Sequence, residues 1–433
     1  METYDLLIKD ALIAGRNVRA DIGIRNGVIV RIDQNLTGEA RYTVNAGGKI
    51  ALPAFANMHT HVPMSLLRGI GADLPLMDWL QKVIWPLEGE FVSPEFVRAG
   101  TLLGVLEMIK SGTTLFMDMY FFEEEVGEVA ERAGVRAGLG FGILDFPTRV
   151  ARTPDEYLRR AREFSLNFRN RERIFPVICP HAPYTCSPET LRKAKELAEE
   201  LGLMLHIHVA ETREEVERIR EEFGKTPVRH LESLGFLGDN VLCAHMIWLD
   251  EEEMDIVAQR KVKVAHCPES NLKLGSGIAP VPRYLRKGIH VTLGTDGSAS
   301  NDNLDMLEET ATMAKLHKGV SQNTTALNAE TALRIATENG FSAVGIKAGR
   351  VEEGYEADLI LLDPRSPHLQ PLYDPIAQTV YSAQSADIDT VVCRGRVLME
   401  KREIKTLDEE EILHEARLWG ERIRKFLERS ARG

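Results

Sequence analysis

The stretch ALPAFANMHTHVPMS, residues 51–65, carries an apolar run into two histidines, His59 and His61, set one residue apart. The first half reads as a buried strand and the second as its end. Side chains two apart on a strand point to one face, so both imidazoles leave this strand in the same direction. The surroundings of that strand decide the fold. The same run extended to KIALPAFANMH is followed by seven more strand-like segments, TLFMDM, RAGLGFGIL, IFPVICPH, LMLHIHVAE, NVLCAHM, VKVAHCP and HVTLGTD. Helical patterns such as PETLRKAKELAEELG and DEEEMDIVAQRK lie between them. Eight short buried strands alternating with helices predict a (β/α)8 barrel. An open doubly wound sheet would want a GxGxxG turn after its first strand, and none is there.

Outside this unit the two ends of the chain resemble each other. DLLIKDALIAG and ADIGIRNGVIVRID near the start, and EADLILLD and DTVVCRGRVLME near residues 356–400, alternate apolar and polar residues around glycine turns. They are expected to pair into one small composite β-sandwich domain of residues 1–55 plus 350–405. The barrel then occupies 56–349, and a charged helical tail, 406–433, serves packing or oligomer contacts.

Composition narrows the function classes. The 433-residue chain has a formal net charge of −12, from 65 acidic and 53 basic residues, and no basic stripe interleaved with aromatics. Nucleic acid is therefore not an expected partner. METYDLLIKD has neither the basic start nor the apolar stretch of a leader, and no later run is apolar for the length of a membrane span. A cytoplasmic enzyme with no membrane partner is the expectation. The five cysteines, Cys179, Cys186, Cys243, Cys267 and Cys393, show no CxxC spacing and are odd in number, which reads as buried reduced thiols.

A barrel of this kind carries its chemistry at the C-terminal ends of its strands. Strand one offers His59 and His61, strand four His181, strand five His208 with Glu211 beyond it, strand six His245, strand seven His266, and strand eight Asp296. Six of the twelve histidines fall at these ends. A lone histidine there is more often a hydrogen-bonded core residue than a ligand, and Asp296 in GTDGSASNDN could be a turn former. The ensemble is more specific. Zinc takes neutral imidazoles and a carboxylate at about 2.0–2.2 Å and keeps one position for water in catalytic sites. His59, His61, His208 and Asp296 supply that set. HIH at 206–208 repeats the HxH spacing, which alone does not choose between its histidines; His208, nearer the strand end, is read as the ligand and His206, one layer deeper, as its support. Glu211 sits where a carboxylic acid could transfer protons over the ion. His266 is a further possible support, and His317 reads as a surface residue.

ALPAFANMHTH, HIHVAET, AHCPESNLKLGSGIAPV and GTDGSASNDNLDM resemble, in order and spacing, the amidohydrolase superfamily. HAPYTCS and LMDWLQKVIWPLE are similar to the 5-methylthioadenosine/S-adenosylhomocysteine deaminase branch. The resemblance implies one divalent metal, zinc or alternatively iron, on His59, His61, His208 and Asp296. It implies a proton-shuttling Glu211, an oxyanion-facing His245, ribose contacts from Glu88, and a purine contact from His181. Trp79 would line the pocket, although the residues alone favour a core role for it. Arg149 and Arg152 in FPTRVARTP are candidates for the ribose or an amino-acid carboxylate. The implied reaction is hydrolytic deamination of the adenine ring in 5′-substituted adenosines, including S-adenosylhomocysteine, 5-methylthioadenosine, 5′-deoxyadenosine or adenosine itself. A homo-oligomer is compatible with the resemblance. Alternatives are a hydrolase of guanine, a pyrimidine or a chlorotriazine, and a non-catalytic metal-dependent nucleoside-binding protein.

Overall fold

The computed structural model describes residues 3–430. Eight parallel strands lie side by side in chain order: β1 (Phe55–Thr60), β2 (Thr113–Tyr120), β3 (Arg136–Ile143), β4 (Ile174–Pro180), β5 (Met204–Val209), β6 (Val241–His245), β7 (Lys263–His266) and β8 (His290–Leu293). Parallel strands covered by helices are buried on both faces, and β1, β2 and β3 are buried at every position. Just beyond β8 the chain meets β1. The Thr295 amide donates to Asn57 Oδ1 at 3.0 Å, Asn57 Nδ2 to Thr295 Oγ1 at 2.8 Å, and the Asp296 amide to the His59 carbonyl at 2.9 Å. The approach is close enough that a Cβ on Gly294 would sit 2.7 Å from the His59 nitrogen, so only glycine fits.

The covering helices start and stop on local signals. Ser93, Thr153 and Ser187 each accept a hydrogen bond at a helix start, and each precedes a proline whose missing N–H is no loss in the first turn. Gly134, Gly202 and Gly224 close helices in the left-handed conformation.

The chain ends do meet, in one mixed nine-stranded sheet. Its path runs Glu403–Ile404, Arg396–Glu400, Ile388–Cys393, Leu359–Leu362, Ile50–Pro53, Thr3–Ile13, Val18–Arg25 and Val28–Asp33, with Glu39–Asn45 also paired to Thr3–Ile13. The long first strand shifts register between Ile8 and Ala11, pairing Glu39–Asn45 along its first part and Ile50 and Ala51 at its end. The sheet folds around its own core, which includes Leu6, Ile8, Ile22, Leu359 and Leu361. One expectation needs correcting: KIALPAFANMH is not one strand. Ile50–Pro53 belongs to the small sheet and Phe55–Thr60 to the barrel, with the change at Ala54, whose amide bonds to the Asp358 carbonyl. An apolar run has no period that marks where its partners change.

The tail forms the helix Glu409–Ser430 and packs on the helix Pro94–Lys110 of its own chain. Trp419 meets Phe96 edge-on at 5.4 Å, and Lys110 pairs with Glu409. All five cysteines are free and buried. Among the described residues no helix is long and apolar enough to cross a membrane.

Candidate active site

His59, at the end of β1, and His61, just past it, face Asp296 across the closure of the barrel. Asp296 Oδ1 lies 3.2 Å from His61 Nε2 and 3.5 Å from His59 Nε2. His208, in β5, brings its Nε2 to 3.3 Å from His61 Nε2. Each of these rings is held from behind. The Nδ1–H groups of His61 and His208 donate to the carbonyls of Met119 (2.6 Å) and His181 (2.7 Å), which turns both Nε2 lone pairs toward the centre. His59 Nδ1 pairs with His206 Nε2 at 3.0 Å, so His206 supports the cluster from one layer below. Asp296 adopts a left-handed backbone (φ 63°) and accepts from Ser270 Oγ at 2.6 Å and from the Gly297 amide at 2.8 Å.

This donor set fits a divalent ion. His59 Nε2 is buried without a hydrogen-bond partner, although its neighbours are ring nitrogens and a carboxylate aimed at the same point. Burial lowers His59 to about 4 and puts His208 well below the usual imidazole range, which favours neutral lone pairs, whereas the Asp296 carboxylate outweighs burial at His61 and raises it to about 9, so an ion there displaces a proton from His61. Burial acts on Asp296 in the opposite sense to the histidine contacts, which prevail and hold its carboxyl well below the usual range. A ring nitrogen of His245 also lies within 4.8 Å of one on His59 and one on His208, so these three could share an ion as well.

His245 ends β6 with φ 71°, followed by Met246 at 47°, two successive left-handed residues that turn the ring inward. Its Nδ1 meets Asn271 Oδ1 at 2.8 Å, and its Nε2 lies 3.7 Å from Glu211 Oε2. Burial raises the Glu211 carboxyl, favouring the protonated acid.

These groups form the floor of a cavity of about 360 Å³. A helix over it runs through Leu76–Trp79, a π-helical stretch at Leu80–Ile84, and Trp85–Phe91; it contributes Trp79, Trp85 and Glu88 to the wall. Glu88 accepts from the Tyr120 hydroxyl at 2.7 Å, and burial raises it to about 7. His181 lines the cavity with Nδ1 2.8 Å from Thr185 Oγ1, and burial lowers it to about 3. Arg149 lines it too, its Nε donating to the Gly89 carbonyl at 2.6 Å. Arg152 does not line this cavity: it is exposed, and its amide bonds to Glu156. The structure thus gathers His59, His61, His208, Asp296, Glu211, His245, Glu88, His181, Trp79 and Arg149, and leaves Arg152 outside.

The sequence model of the Amidohydrolase family matches residues 50–398. The chain belongs to the amidohydrolase family. It is 69% identical over 423 residues to a 5-methylthioadenosine/S-adenosylhomocysteine deaminase of Aquifex aeolicus, covering 98% of each chain. A protein of the same name from Thermodesulfovibrio yellowstonii is 47% identical over 375 residues, 86% of this chain and 85% of that one. The crystal structure of an adenosine deaminase from Xanthomonas campestris with bound zinc superposes with a TM-score of 0.95 at 38% identity, covering 98% of this chain and 99% of the other. Amidohydrolases are metal-dependent, and the histidine–aspartate cluster is where this one can hold an ion.

Several residues of this amidohydrolase site lie outside the strand-end set read from the sequence. Tyr120 is the last residue of β2, so the strand-end rule that picked out the histidines applies to it as well. Ser270 and Asn271 lie in the short helix Pro268–Lys273 that follows β7. His317 is a correction: it is buried, with Nε2 3.2 Å from His266 Nε2. Its spacing of four from buried Met313 in the helix Met306–Ser321 was the available sign.

Proposed function

We propose that this amidohydrolase hydrolytically deaminates the adenine ring of 5′-substituted adenosines, with 5-methylthioadenosine and S-adenosylhomocysteine as substrates, to the inosine analogue and ammonia. The observation that carries the reading is the meeting of Glu211, His245 and Asp296 on the floor of a cavity whose wall holds Glu88, His181 and Arg149. The names of the relatives point the same way.

His59, His61, His208 and Asp296 would hold one divalent ion, zinc, with iron suited to similar donors. Such an ion supplies Lewis acidity that brings the pKa of a water toward neutrality. Asp296, aligned by Ser270, takes a proton from the attacking water as its oxygen bonds to C6. Glu211, whose carboxyl burial raises above the usual range, delivers its proton to N1 and neutralises the charge that addition pushes onto the ring. His245, anchored through Nδ1 by Asn271, presents Nε2 to the new oxygen on C6. Protons returned through the carboxylates then load the exocyclic nitrogen, the C6–N bond breaks and ammonia leaves. Glu88, oriented by Tyr120, holds the ribose hydroxyls, His181 faces the purine, Trp79 packs on the nucleoside, and Arg149 reaches the ribose or the 5′ substituent.

Metal-loaded protein incubated with the four adenosines, guanine and a chlorotriazine tests this reading through ammonia release and the adenine-to-hypoxanthine ultraviolet change. Turnover of 5′-modified adenosines that stops on chelation is expected. Activity on guanine or the triazine alone would move the function to another ring, and silence throughout would leave a binding protein. Glu211→Gln should keep its metal and lose about 10³-fold in kcat, within the range of general acid–base catalysis; near-normal turnover would remove Glu211 from the role of acid.

A further inference from the structure

Two helices of the barrel start with the same device and use it differently. After β6, the helix Glu251–Gln259 has an ordinary capping box: the Glu253 amide donates to Asp250 Oδ1, and Glu253 Oε2 accepts from the Asp250 amide, both at 2.9 Å. After β5, the helix Arg213–Phe223 begins alike, with the Glu215 amide donating to Thr212 Oγ1 at 3.1 Å. The Glu215 carboxylate does not return to Thr212. It reaches one and two residues further back, accepting from the Glu211 amide at 2.8 Å and the Ala210 amide at 2.9 Å. Ala210 is left-handed (φ 52°), a costly conformation for a residue with a Cβ. Glu215 is buried.

We propose that Glu215 is a positioning residue for the reaction: its carboxylate clamps the left-handed turn at Ala210 and Glu211, and so aims the Glu211 side chain at the ring nitrogen it protonates. The inference rests on Glu211 being the acid. The physical case is that both oxygens of one carboxylate are committed to successive backbone amides at the residue that carries the proton. Charge-assisted bonds of this kind are about twice as strong as neutral ones. An amide side chain cannot replace the clamp, because its NH2 would face one of the two N–H donors. Without the clamp the turn can relax toward an ordinary backbone, swinging Glu211 away; a misplacement of about 1 Å can cost about 10²-fold in rate.

The test compares Glu215→Gln with Glu253→Ala, which removes the equivalent cap on a helix whose capping residues touch no reacting group. In Glu215→Gln we expect kcat to fall by about 10- to 100-fold, with KM and metal content close to those of the parent and a melting temperature lowered about as far as in Glu253→Ala. Glu253→Ala should lower the melting temperature and leave kcat unchanged. If Glu215→Gln does not fold, Glu215→Asp, too short to reach both amides, carries the same comparison. In a Glu211→Gln background the second change should add nothing, since both act through one proton. Parent-like kcat in Glu215→Gln, or an equal further loss in the Glu211→Gln background, would overturn the proposal. Near-normal turnover of Glu211→Gln alone would instead overturn the assignment of the acid, so the two failures are separable.

Discussion

The barrel has a polar cluster at each end, and the two are built on opposite rules. At the N-terminal end, where the small sheet docks, Asp358 accepts from Arg136 through both oxygens (3.1 and 2.6 Å), from Thr114 Oγ1 at 2.9 Å and from the Arg394 amide at 3.2 Å. Arg136 also pairs with Glu356 at 2.6 Å. Both Asp358 oxygens and the buried guanidinium are engaged, which is what a structural ionic group requires. At the C-terminal end the donors converge on one another, and His59 Nε2 remains without a partner. Satisfied polar groups inform about stability, whereas converging unsatisfied ones call for a ligand.

Three substitutions press on this contrast. Asp296→Ala should abolish deamination and strip the ion, read by metal analysis and ammonia release, while the far-ultraviolet spectrum stays native. Retained metal would place the ion on the overlapping His59, His208 and His245 nitrogens instead. Asp358→Ala should do the reverse, costing about 3 kcal/mol, because Arg136 stays buried with only Glu356 for company. Denaturant unfolding reads this loss, and kcat per folded molecule should not change. A drop in kcat without a loss of stability would mean that the two ends are coupled. The smallest effect belongs to His317, which lies outside both clusters. Burial lowers it to about 4 from an ordinary value of 6.5, so its contribution to stability is intact above pH 6.5 and is lost as pH falls toward 4. Denaturant midpoints across that window should fall less steeply for His317→Gln than for the parent; equal slopes would show that this buried ring does not set the acid sensitivity.

The same contrast explains what could be read early. The eight strands, the shared face of His59 and His61, and the acid three residues past His208 follow from periods and spacings within single segments, and these are local properties of the chain. The strand-end rule works because a barrel points its reactive groups one way. Tyr120 escapes the rule only because β2 extends one residue beyond TLFMDM.

What the sequence by itself determined was therefore the barrel, its order, and the set of side chains able to meet at its mouth. The tertiary structure alone decided which neighbours they meet. It split KIALPAFANMH between two sheets, because Asp358, some three hundred residues away, takes the Ala54 amide. It placed Arg149 in the cavity wall through the Gly89 carbonyl and left Arg152 in solvent, although only two residues separate them on one loop. It also turned the Glu215 carboxylate onto the Ala210–Glu211 turn, where a Thr-x-x-Glu pattern announces only a helix start. Each of these outcomes depends on contacts between distant segments or on a backbone angle, and neither leaves a period in the sequence.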